Sequence, residues 1–106
     1  MNHQSTLTVE KLSESKVAFV GDVIHETVNI ALNSKFLFSE NISEIDFKQV
    51  NYADSSCLAL MVLLIKQGNS SPSGIIFRNV PEKLVGLAKV SNLEGILKLS
   101  QSDDVI

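Results

Sequence analysis

A chain of 106 residues, 44% of them hydrophobic and 20% charged, is the size of one domain with a core of its own. Nine Lys and Arg against twelve Asp and Glu leave a net charge of −3, which excludes a broad basic footprint for nucleic acid. One cysteine, Cys57, and two histidines, His3 and His25, exclude an internal disulfide and a cysteine-rich zinc site.

Taken in chain order, the pattern opens with alternation. Leu7 and Val9 point one way, with Thr6, Thr8 and Glu10 the other, which predicts a strand. Ser13-Glu14-Ser15 is a polar connection, and Lys16 to Gly21 reads as a second, more buried strand paired with the first as an antiparallel hairpin. Gly21-Asp22 is expected to end it. Ile24, Val28, Ala31, Leu32 and Lys35-Phe36 then recur at helical spacing, with Glu26, Asn29 and Asn33 off the stripe, until Ser39-Glu40-Asn41 breaks the pattern. Ile42 to Val50 predicts a third strand alternating through Ile45 and Phe47.

Asp54, Ser55 and Ser56 are all good helix caps, and they precede Cys57–Ile65, the longest apolar run, of nine residues. A membrane-spanning helix needs about 20, so direct membrane insertion is not expected. Met1 to Gln4 has no charged-then-apolar pattern, and no secretory signal is expected either. Gly68 is a candidate stop for this helix, and Asn69 to Gly74 a polar turn. Ile75-Ile76-Phe77 predicts a short buried strand, Pro81 fits the first turn of a third helix through Leu84, Leu87, Ala88 and Ser91, and Ile96 to Leu99 is a final element, helix or strand. Gln101 to Asp104 reads as a frayed tail. The order β-β-α-β-α-β-α plus a last element predicts an α/β fold, in which a mixed sheet, antiparallel at its N-terminal hairpin and parallel after it, packs against helices.

The helix after Asp54 is apolar on two sides. Leu58, Met61, Val62 and Ile65 share one, and Leu60, Leu63 and Leu64 lie nearly opposite. The second stripe either packs under a neighbouring helix or meets a partner. Likewise, Asp54-Ser55-Ser56 is explained by capping alone, or it presents hydroxyls at a helix N-terminus, where a phosphate would change what docks. No Gly-rich phosphate loop, metal cluster or acid/base pair is evident, so no catalytic residue, metal or cofactor is assigned. Cys57 is either a reactive thiol or, as is commoner inside an apolar run, a buried small hydrophobe.

Several of these features together resemble the signature of STAS domains, the fold of sulfate-transporter tails and anti-sigma-factor antagonists. They are the strand ending in Gly21-Asp22-Val23, the strand Ile45-Asp46-Phe47, and Ala53-Asp54-Ser55-Ser56-Cys57-Leu58-Ala59-Leu60 leading into an aliphatic helix. Cys57 stands where glycine is commonest. The resemblance spans Thr6 to Leu99, implying one STAS domain over residues 1–106 with its core at about 6–99. Within the family, Cys57 to Ile65 and Leu87-Ala88-Lys89-Val90-Ser91-Asn92-Leu93 are similar to the MlaB-like subgroup, small cytoplasmic subunits of Mla-type phospholipid ABC transporters.

That similarity implies a non-catalytic accessory subunit. It would bind and support the ATPase subunit (MlaF-like) of an inner-membrane transporter that maintains outer-membrane lipid asymmetry. It would be cytoplasmic and peripheral to the inner membrane through that partner. Asp54, Ser55, Ser56, Leu60 and Leu63 are the implied partner-binding residues. Internal packing is the alternative for Leu60 and Leu63, and capping for Asp54. The subgroup often has threonine and then glycine after the aspartate. Ser55-Ser56 instead resembles the phosphorylatable pair of anti-sigma-factor antagonists, with Ser55 the matching position. An antagonist regulated by phosphorylation at Ser55 is therefore the alternative function.

Overall fold

The computed structural model describes residues 4–39, 41–66 and 74–100. Its elements run β1 (Leu7–Lys11), β2 (Lys16–Val23), α1 (Val28–Leu32), β3 (Glu44–Ala53), α2 (Ser55–Lys66), β4 (Ile76–Arg78), α3 (Glu82–Val90) and β5 (Lys98–Leu99). They form one five-stranded sheet in the order β1-β2-β3-β4-β5. β1 and β2 are antiparallel, with Leu7 opposite Gly21 and Lys11 opposite Val17. The remaining pairs are parallel, because each crossover carries a helix. The mixed sheet expected from the pattern is the one observed.

Alternation explains the strands. Val17, Phe19, Ile45, Phe47 and Phe77 are buried. The Phe47 ring lies edge-on between Phe19 at 5.3 Å and Phe77 at 6.1 Å, tying three adjacent strands through one aromatic row. Such pairs add about 0.5–1.5 kcal/mol each beyond the area buried.

Near the amino ends of β2 and β3, charges close the sheet. Arg78 Nε donates to Glu44 Oε1 at 3.0 Å, and Lys16 Nζ approaches Glu44 Oε2 at 3.7 Å. Asn79, held at φ 57°, donates its side-chain amide to Asp46 Oδ1 at 2.8 Å.

Several boundaries differ from the sequence-based expectation. Gly21 does not end β2. It sits at φ +112°, where a Cβ would run into the Thr6 carbonyl, and the strand continues through an irregular register to Val23. The helix expected from Ile24 to Phe36 is only Val28–Leu32. The Thr27 hydroxyl donates to the Asp22 carbonyl at 2.6 Å and fixes a turn before it, and the Asn33 side chain donates to the Asn29 carbonyl at 2.9 Å at its end. These local bonds compete with helix propagation. β3 starts two residues later than Ile42 and runs to Ala53, while β4 is shifted by one to include Arg78.

Pro81 is the N-cap of α3 and not in its first turn. The last element is a strand, because Lys98 and Leu99 pair with Ile76 and Phe77. α3 ends in a Schellman turn. Asn92 is at φ 58°, its N–H donates to the Lys89 carbonyl at 3.1 Å, and the Leu93 N–H donates to the Ala88 carbonyl at 2.8 Å. Gly68, most of the expected 69–74 turn and the tail from Gln101 lie outside the described residues.

α2 is buried along both stripes. Cys57, Leu58, Leu60, Met61 and Leu64 are in the core, with Val62 and Ile65 packed against it. It touches α1 on one flank and α3 on the other. Internal packing therefore accounts for most of its apolar surface. Among the described residues no helix is long and apolar enough to cross a membrane.

Candidate functional site

The carboxyl ends of β2 and β3 deliver two loops side by side, since Val23 pairs with Ala53. Asp54 follows and joins them. Its N–H donates to the Val23 carbonyl at 3.3 Å. Its carboxylate accepts from the His25 N–H at 3.0 Å through Oδ2 and from the Ser56 N–H at 2.8 Å through Oδ1. Its carbonyl accepts from the Cys57 N–H at 3.0 Å. Asp54 is thus both the cap of α2 and the clamp on the loop after β2.

Burial is the largest influence on this carboxyl and pushes its pKa up. Hydrogen bonds from His25, Ser56 and Cys57 together outweigh it and hold the pKa below the usual value of 3.8. Of the three residues expected to cap, Asp54 does so with its side chain, Ser55 is exposed as the first helical residue, and Ser56 is half-buried.

Thr27 supports the second loop, and sequence reasoning passed over it. It is buried, and besides its bond to the Asp22 carbonyl its hydroxyl accepts from the Ile24 N–H at 3.1 Å. The available signal was a threonine a few residues after a Gly-Asp strand end, where hydroxyl-backbone turns are common.

Beside Ser56 runs an open apolar groove between α1 and α2. One hollow of about 220 Å³ is lined by Val28, Leu32, Ser56, Ala59, Leu60 and Leu63. A second, of about 430 Å³, continues past Leu32 and Leu63 to Asn33, Ser34, Lys35 and Phe38. Leu63, one of the expected contact residues, is half-buried on the groove wall. Leu60, the other, is only 2% exposed. Its side chain belongs to the core, drawn in by burial between α2 and its neighbours, and contributes only an edge to the groove. The structure therefore brings Asp54, Ser55, Ser56 and Leu63 to one face and places Leu60 beneath it.

Cys57 is closed to chemistry of this face. Burial, and after it the neighbouring Asp54 carboxylate, push its thiol up to about 12, and its Sγ lies 4.0 Å from Met61 Sδ. A thiol in this state packs and does not attack. Among the described residues no group of three His, Cys, Asp or Glu is placed to hold a metal ion.

No family model matches the chain, and no curated protein matches it in sequence. Solved structures do. The chain superposes on the anti-sigma factor antagonist SpoIIAA in its unphosphorylated form with a TM-score of 0.61 and 19% identity, over 88% of this chain and 86% of that one. The chain has the STAS fold. The phosphorylated form of the Bacillus cell fate determinant SpoIIAA gives 0.58 at 19% identity, over 88% and 89% of the two chains. In this STAS fold, the clamp, the two serines and the Ser56 end of the groove lie where β2 and β3 end. Open α/β sheets commonly bind their ligands at that end.

Proposed function

We propose that this STAS domain is a non-catalytic docking subunit that binds and supports the ATPase of a phospholipid ABC transporter. It would stand in the cytoplasm, peripheral to the inner membrane through that protein. The observation that carries a docking role is Ser55. It is exposed in the first turn of α2, directly after the Asp54 clamp and next to an apolar groove. A hydroxyl at the rim of an apolar surface fits a protein interface with a greasy centre and polar edge. Support for the transporter reading comes from the resemblance of Cys57–Ile65 and Leu87–Leu93 to the MlaB-like subgroup. The Asn92-Leu93 portion of that stretch also has a purely local reason, the Schellman turn that ends α3.

A second reading is favoured by the likeness to SpoIIAA in both forms: an anti-sigma-factor antagonist released by phosphorylation at Ser55. Both Asp54 carboxylate oxygens already take N–H groups of the loop and helix. A phosphate on Ser55 would therefore stand beside an ionised Asp54 and act by repulsion, not by ordering the loop. One experiment separates the readings: affinity capture on the tagged chain from its own detergent-solubilised membranes and cytosol, followed by protein identification. Recovery of an ABC ATPase that is lost with Ser55→Glu supports the first reading. Recovery of an anti-sigma kinase that phosphorylates Ser55 replaces it with the second.

A further inference from the structure

The groove carries information about its occupant. Its lining is apolar through Val28, Leu32, Ala59, Leu63 and Phe38, with Asn33, Ser34 and Ser56 adding polar edges, and among the described residues that line it Lys35 is the charged one. Among the described residues Lys35 makes no ion pair. The hollows are continuous through Leu32 and Leu63, and the end opposite Lys35 reaches Ser56, one residue from the exposed Ser55. A small ligand in so open a trough would keep much of its surface in water, whereas enclosed pockets bury most of theirs. A polypeptide segment can cover the trough along its length, as in helix-in-groove recognition.

We propose that the α1–α2 groove receives an amphipathic helical segment of a partner protein, its apolar side chains along Leu32 and Leu63 and an acidic side chain on Lys35. This rests on the docking role proposed above and adds to it the chemistry of the partner. The whole chain carries a net charge of −3. Long-range electrostatics alone would favour a basic peptide, so a preference for an acidic one requires a local cation, and the Lys35 variants decide whether that cation is Lys35.

The test uses synthetic 14-residue Ala/Leu helices with leucines at i, i+3, i+4 and i+7. One carries Glu at both ends and one carries Lys. Binding is followed by amide NMR shifts of the intact chain at 20 mM salt. The Glu peptide is expected to shift Leu32, Lys35, Ala59 and Leu63 and to bind about fivefold tighter than the Lys peptide, with the preference shrinking at 500 mM salt. Lys35→Gln should abolish the preference and Lys35→Glu reverse it; Lys35 is exposed in water, and a melting curve verifies the fold. Equal or Lys-favouring binding to the native chain, shifts centred elsewhere, no peptide binding, or saturable binding of a fatty acid in place of the peptides would overturn the inference. Capture of the ATPase by Lys35→Glu at native yield would also overturn it while leaving the docking role standing. Peptide preference without any ATPase capture would do the reverse.

Discussion

The two ends of the sheet are closed by different means. Near the amino ends of β2 and β3, Lys16, Glu44 and Arg78 spend their charges on one another, and Asp46 and Asn79 pair across β3 and β4. At the carboxyl ends one carboxylate, Asp54, holds two loops through backbone N–H groups. That economy leaves Ser55 in water and an apolar trough beside it. The contrast separates residues that hold the fold from the surface proposed for docking, within one small domain. Substitutions at the first end should read out as folding free energy, and substitutions at the second as binding.

The largest effect should come from the aromatic row that both ends share. Phe47→Ala removes the ring between Phe19 and Phe77 and should cost about 3–5 kcal/mol in urea unfolding. For a domain with a total stability of about 5–15 kcal/mol, that is a large part of the fold. Next is Glu44→Ala. It removes one 3.0 Å ion pair from the mostly buried Arg78, and about 1–2 kcal/mol of destabilisation is expected, less than for a fully buried pair because Glu44 is partly solvated. Equal midpoints for Glu44→Ala and the native chain would show that the charged end contributes nothing and would erase the contrast.

Asp54 lies between the two regimes, because it is structural but sits at the end proposed for docking. Asp54→Asn should cost about 1 kcal/mol, the usual worth of a cap. The pH dependence has a definite sign. Folding lowers the Asp54 pKa, so its contribution is present above the unfolded value of about 3.9 and is lost as pH falls through the lower folded value. The gap in urea midpoint between the native chain and Asp54→Asn should therefore be widest near neutrality and narrow below about pH 4. A gap that widens with acid would mean that Asp54 is held neutral and does not clamp the loops.

How much of this was legible in the sequence depended on whether a residue's role was local. Strand alternation through Val17, Phe19, Ile45 and Phe47 reported burial directly, and Asp54-Ser55-Ser56 before an apolar run marked a helix start. The shortness of α1 was hidden, because Thr27 and Asn33 end it through side-chain bonds that periodicity does not register. The role of Asp54 as a clamp was hidden for another reason. Its partner His25 is 29 residues away and is reached through a backbone N–H, which every residue has. Leu60 and Leu63 were indistinguishable by spacing. Only the packing of α2 between α1 and α3 sends Leu60 inward and leaves Leu63 on the groove wall.

The smallest effect on stability should come from Ser55, and it should come with the largest effect on binding. Ser55 is exposed, and the cap of α2 is Asp54, so Ser55→Glu removes no bond that the fold uses. A carboxylate in the first turn of a helix is favourable by about 0.3–1 kcal/mol, and the adjacent Asp54 charge works against it. The two influences should leave the melting temperature within about 3 °C of native. At a docked surface the same carboxylate would be stripped of water without a partner, which costs several kcal/mol, so capture of the proposed ATPase partner should fall to background. Ser55→Thr keeps the hydroxyl and should keep both properties. A Ser55→Glu chain that melts more than about 5 °C early would place Ser55 among the structural residues. One that melts normally and still captures the ATPase at native yield would move the interface off this end of the sheet, leaving Asp54 as a clamp with no docking surface to present.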